Sequence, residues 1–81
     1  MRTLMDIKIG EEVTIYHIEH ETLIKRRLMD LGFVEKGSVK AVLDSPSRGM
    51  RAYLVKGCKI ALRDEESRGI FVGIKGEEHA V

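Results

Sequence analysis

A helix that stops at one glycine, turns at a second and re-enters the fold as a strand constrains this chain more than any other feature. In the run Arg27-Leu28-Met29-Asp30-Leu31-Gly32-Phe33-Val34-Glu35-Lys36-Gly37-Ser38-Val39, the upstream Ile24 joins Leu28 and Leu31 at helical spacing. One face of that helix can therefore be buried. Gly32 stands where a helix end takes up a left-handed residue, a conformation that costs glycine nothing, so a positive φ is expected there. Glu35-Lys36-Gly37 then reads as a tight turn into the alternating run Val39 to Leu43. Lys56-Gly57 is a second punctuation, at hairpin spacing between the strand-like runs Met50 to Val55 and Cys58 to Leu62.

The remaining elements follow from local chemistry. Thr3 to Gly10 reads as a short hook, capped by Thr3, buried through Leu4 and Ile7 and ended by Gly10. Glu11 to Ile18 is rich in β-branched and aromatic residues and predicts a strand, although His17 and Ile18 break clean alternation. A helix runs from about His20–Thr22 to Leu31, and Asp44 to Gly49 is a polar connector. Asp64-Glu65-Glu66-Ser67 reads as a helical turn with acids at its N-terminal end, Ile70 to Ile74 as the last strand, and 75–81 as a frayed tail. Five short strands with one helix inserted after the first predict a mostly β chain, folded as one domain over 1–81 into a small, partly open barrel.

Composition narrows function by exclusion. At 81 residues the chain is near the lower end of what an unaided core can stabilise. Its single cysteine can form no internal disulfide, which suits a cytoplasmic setting. No apolar run approaches the roughly 20 residues that span a bilayer. Acids and bases nearly cancel, at a net charge of +1. The cluster Lys25-Arg26-Arg27 is flanked by Glu19, Glu21 and Asp30, so it reads as a solvated helix face, and nucleic acid is disfavoured as a partner.

No catalytic, cofactor or metal constellation emerges. His17, His20, His79 and Cys58 are the available soft ligands, but no Cys-x-x-Cys or His-x-x-x-His pattern gathers them. Metal binding is expected to be at most adventitious, at His17 and His20. Cys58, beside Lys56 and Lys59, lacks a neighbouring base and reads as a small strand residue. Gly32 and Gly37 have the spacing of a phosphate loop's glycines, but Ser38-Val39 follows them and a helix precedes them.

Leu28 through Gly37, with the later run Gly57…Ile60-Ala61-Leu62-Arg63, Asp64-Glu65-Glu66 and Ile70-Phe71-Val72, resembles the FeoA family of ferrous iron transport proteins. The resemblance extends from about Leu4 to Val72. It implies an SH3-like barrel and a non-enzymatic cytoplasmic accessory role beside FeoB, a membrane permease with a cytoplasmic GTPase domain. Contact with the membrane would then be indirect, through FeoB. The same module ends some iron-dependent repressors, so a metal-responsive regulatory module is the alternative; a repressor would need a helix-turn-helix domain that 81 residues leave no room for. A nucleic-acid-binding small barrel is a third possibility. Two departures stand out: Arg48-Gly49-Met50 where Gly-Asp-Pro is common, and Ser67 where alanine is usual.

A chain without a pocket motif acts through exposed loops and edges. The candidate partner surface is the connector with Arg48, Met50, Arg51 and Tyr53, the residues left outside if Leu54 faces the core. Arginines there can pair with a partner's acids, and Met50 offers an adaptable apolar contact. Gly10, Gly32, Gly37 and Gly57 are assigned to turns.

Overall fold

The structure, a computed structural model, describes residues 2–74. Its strands are β1 (Arg2–Thr3), β2 (Glu12–Ile18), β3 (Ser38–Ser45), β4 (Met50–Val55), β5 (Cys58–Arg63) and β6 (Ile70–Ile74). Helix α1 (Thr22–Leu31) follows β2, α2 (Asp64–Arg68) follows β5, and 3-10 turns occupy Leu4–Asp6 and Pro46–Arg48. The expected mostly β architecture is present, with all five anticipated strands. A two-residue strand at Arg2–Thr3 adds a sixth by pairing with Val72 and Phe71 of β6. The tail expected to fray, 75–81, lies outside the described residues.

All pairings are antiparallel and give one sheet in the order β1-β6-β2-β3-β4-β5. The barrel stays open, with β1 and β5 as its two edges. The irregularity expected at the end of the first long strand is a bulge between Ile15 and His17. The extra residue lets Ile15 and Ile18, three apart, both reach the interior. A second bulge lies between Ala41 and Leu43.

The hook is fastened at both ends. Thr3 Oγ1 accepts the Met5 N–H at 3.2 Å, and Asp6 accepts the Thr3 N–H at 2.8 Å, a reciprocal cap. Arg2 reaches both oxygens of Glu11 at 2.8 Å. The Lys8 N–H, with help from Arg2, holds the Glu11 carboxyl below its usual range.

The interior is built from Leu4 and Ile7 of the hook, Val13, Ile15 and Ile18 of β2, Leu28 and Phe33, and inward residues of β3 to β6. On α1, Leu28 is fully buried and Ile24 packs against the core, whereas Leu31 is 37% exposed. Gly32 explains the abrupt stop. It has φ +113°, the Phe33 N–H returns to the Leu28 carbonyl at 2.9 Å, and the Gly32 N–H returns to the Met29 carbonyl at 3.0 Å, the paired bonds of a Schellman helix end. A Cβ there would also lie 2.9 Å from Val55 Cγ1. In the following turn Lys36, at φ +71°, carries the left-handed conformation, while Gly37 donates to the Val34 carbonyl at 3.0 Å.

Strand β4 inverts one expectation. Leu54 is 41% exposed, and Tyr53 is fully buried. The hydrogen-bonding tips of the longer side chains decide the face. Tyr53 sets its ring edge-on to Phe33, centroids 6.1 Å apart, and its hydroxyl lies 2.8 Å from Ser67 Oγ. Arg51 extends inward to the carbonyls of Leu4 and Ile7, at 2.7 and 3.0 Å. Because side chains alternate with period two, these partners commit Leu54 to the outside.

Candidate groove beside the edge strand

The same alternation that buries Arg51 and Tyr53 turns Met50, Ala52 and Leu54 to the outer face of β4. Their antiparallel neighbours on β5, Arg63, Ala61 and Lys59, share that face. Where it meets α1 and α2 there is an open groove of about 460 Å³, lined by Ile24, Arg27, Met50, Ala61, Arg63, Glu65 and Glu66. A second cleft of about 440 Å³ continues from it over Arg48, Gly49, Met50, Arg63, Asp64, Glu65 and Arg68. Met50, Arg63 and Glu65 belong to both.

Local structure brings the two walls together. Pro46–Arg48 forms one 3-10 turn that Gly49 ends at φ +63°, with its N–H on the Pro46 carbonyl. The Gly49 carbonyl accepts the Asp64 N–H at 2.8 Å, tying the connector to the first residue of α2. Glu66 performs the other join. One of its carboxylate oxygens accepts from the Arg27 guanidinium of α1, and the other accepts the Arg63 N–H at 2.9 Å. The Glu66 carbonyl meets His20 Nε2 at 2.8 Å. Helix α1, the loop before it and α2 therefore converge on one largely buried acid.

Of the four residues anticipated as a partner surface, Arg48 is exposed and Met50 half-buried in this groove, whereas Arg51 and Tyr53 are interior. The placement of those two is corrected: their polar ends serve the hook and α2, as described above. Arg51 Nε lies 3.5 Å from Asp44 Oδ1, too loose a contact for a hydrogen bond. Burial raises the Tyr53 phenol above its ordinary value of 10.0, with Ser67 acting in the opposite direction. Ile24, Arg27, Ala61, Arg63, Glu65 and Glu66 were not anticipated there. The legible signal was Glu66, an acid three residues beyond the end of a strand, at the spacing from which a carboxylate reaches back to a backbone N–H.

The histidines go separate ways. His17 Nε2 contacts Glu19 at 2.7 Å, its Nδ1 lies 3.8 Å from Glu35, and Phe71 stacks on its ring. The two nitrogens point to different acids, whereas His20 turns to α2. Among the described residues no three acid, histidine or cysteine side chains are grouped to hold a metal ion. His79 lies outside them. Cys58 is exposed next to the turn formed by Lys56 and Gly57, at φ +51° and +82°. The groove itself offers guanidinium groups, carboxylates, a thioether and small apolar side chains, the materials of recognition. Among the described residues no helix is long and apolar enough to cross a membrane.

Comparison with known proteins gives a consistent set of relatives. The FeoA domain family model matches residues 2–73. The solution structure of FeoA from Chlorobium tepidum is 28% identical, with a TM-score of 0.85 over 93% of this chain and 71% of that one. FeoA from Stenotrophomonas maltophilia complexed with zinc, described as a procaryotic SH3 domain protein, is 26% identical, with a TM-score of 0.78 over 90% and 91%. A manganese-dependent transcriptional repressor complexed with manganese shares the fold at TM-score 0.82 and 18% identity, over 89% of this chain and 35% of the repressor. Among curated proteins no sequence match was found.

Proposed function

This chain belongs to the FeoA family, and from that premise we propose that it is a non-enzymatic accessory protein that binds and modulates FeoB, the ferrous iron permease with a cytoplasmic GTPase domain. Family membership supports a role in ferrous iron transport. The observation that carries the finer reading is the groove around Met50. It is open and lined by Arg48, Arg63 and Arg68, none of them held in an ion pair among the described residues, together with the carboxylates of Asp64 and Glu65. An adaptable thioether beside three guanidinium groups, which outnumber the Asp64 and Glu65 carboxylates of the same cleft, suits a protein partner carrying acids around an apolar contact.

The cytoplasmic side of the permease is where such a chain acts, and modulation of a GTPase needs no chemistry from the modulator. The test is capture of the cognate FeoB cytoplasmic domain by the purified chain, with GTP, with GDP and without nucleotide. Specific capture is expected, together with no GTP hydrolysis by the isolated chain. Absence of capture in all three conditions overturns the proposal. A tightly held metal ion that survives chelation and alters the fold would favour the metal-responsive alternative.

A further inference from the structure

Strand β5 ends the sheet, and its outer side is open. The Lys56-Gly57 loop has positive φ at both residues, a type I′ turn, so Val55 and Cys58 form the hydrogen-bonded pair that closes it. Antiparallel alternation then directs the backbone groups of Cys58, Ile60 and Leu62 toward β4, and those of Lys59, Ala61 and Arg63 away from the sheet. An independent contact agrees: the Arg63 N–H donates to the Glu66 carboxylate, not to β4. Glu66 thus seals one end of the edge. Lys59 and Ala61 remain, each with an outward N–H and C=O that no other protein group among the described residues meets.

Open edges are ordinarily blunted by proline, bulges or charge, because they template pairing with another chain. β5 contains no proline, and its register against β4 runs without a bulge. Lys59 is its one lysine, and both Lys59 and Ala61 are exposed. Along this edge Lys56, Lys59 and Arg63 carry positive charge, and Arg48 and Arg68 extend it into the adjoining cleft, against Asp64 and Glu65. Pairing with a second copy would bring the Lys59 and Arg63 side chains of both edges into one cluster, which like-charge repulsion opposes.

We propose that the Lys59–Ala61 edge of β5 is a strand-addition site for an extended segment of a partner protein in which acidic and apolar residues alternate. The segment hydrogen-bonds to Lys59 and Ala61, sets its acids beside Lys59 and Arg63, and turns an apolar residue toward the half-buried Ile60. The site rests on the reading that this chain works through a partner, and it specifies the chemistry of the segment that partner supplies.

The test uses the 15N-labelled chain and two capped peptides of about ten residues, one alternating glutamate with valine and one lysine with valine. The glutamate peptide should give saturable amide shifts at Lys59 and Ala61 and slow hydrogen exchange there, while the lysine peptide should bind at least about tenfold more weakly. Ala61→Pro deletes an outward N–H and should abolish the effect. Lys59→Glu with Arg63→Glu, which leaves the backbone intact, should reverse the preference between the peptides. Equal binding of both peptides, shifts away from β5, or self-association through β5 without peptide uptake would each overturn the site. Capture of the FeoB domain by Ala61→Pro, with no peptide uptake by the wild type, defeats the edge and spares the accessory role. Peptide uptake at β5 without FeoB capture does the reverse.

Discussion

Gly32 and Tyr53 show the same physics acting on a residue that lacks a side chain and on one whose side chain is fully enclosed. Gly32 adopts φ +113° and leaves no room for a Cβ beside Val55. Gly32→Val should therefore cost more than the roughly 1 kcal/mol of an ordinary substitution, measured as a shift in the denaturant midpoint at unchanged slope. A valine tolerated at wild-type stability would show that α1 ends for another reason. Tyr53→Phe removes the hydroxyl that meets Ser67 and should cost about 1–2 kcal/mol at neutral pH, because the buried Ser67 hydroxyl loses that partner. The pH dependence has a definite sign. Since burial raises the phenol above 10.0, the unfolded chain loses that proton first. The contribution of Tyr53 is complete below pH 10 and declines as pH rises from there through the folded value. Thermal unfolding of wild type should fall more steeply than that of Tyr53→Phe above about pH 10; parallel curves would contradict the burial argument.

At the scale of elements, Glu66 joins α1, β5 and α2, and its loss should loosen that junction first. Glu66→Ala should destabilise by about 2 kcal/mol, in the range of hydrogen bonds to charged groups. It should also raise hydrogen exchange at the Arg63 amide, while amides in the middle of β2 stay protected. Uniform loss of protection would make Glu66 a global determinant and not a local join. Glycine punctuation and strand periodicity made most of these elements legible: the helix stop, the tight hairpin and the acids of α2 are all local chemistry. The face of β4 was not legible, because Tyr53-Val55 and Ala52-Leu54 are both apolar sets and alternation cannot rank them. Distant groups settle it: the Leu4 and Ile7 carbonyls that draw Arg51 in, and the Ser67 hydroxyl that meets Tyr53. The two-residue β1 escaped for a related reason. Arg2-Thr3 becomes a strand only because β6 offers it an edge.

For the whole molecule, an open six-stranded sheet leaves a groove where α1, the outer face of β4 and β5, and α2 meet. Half of the expected partner patch lies there: Arg48 and Met50 stay at the surface, Arg51 and Tyr53 became core, and the arginines of β5 and α2 complete the rim. That rim could not be read from the sequence, since Arg63 and Arg68 meet Arg48 only after Gly49 is tied to Asp64. The most direct measurement of the account is capture of the cognate FeoB cytoplasmic domain by Arg48→Glu combined with Met50→Asp. The groove predicts that capture is lost while the melting temperature stays within a few degrees of wild type, as it does for most surface substitutions. Wild-type capture by a correctly folded double variant would contradict it, and FeoB would have to bind elsewhere on the chain.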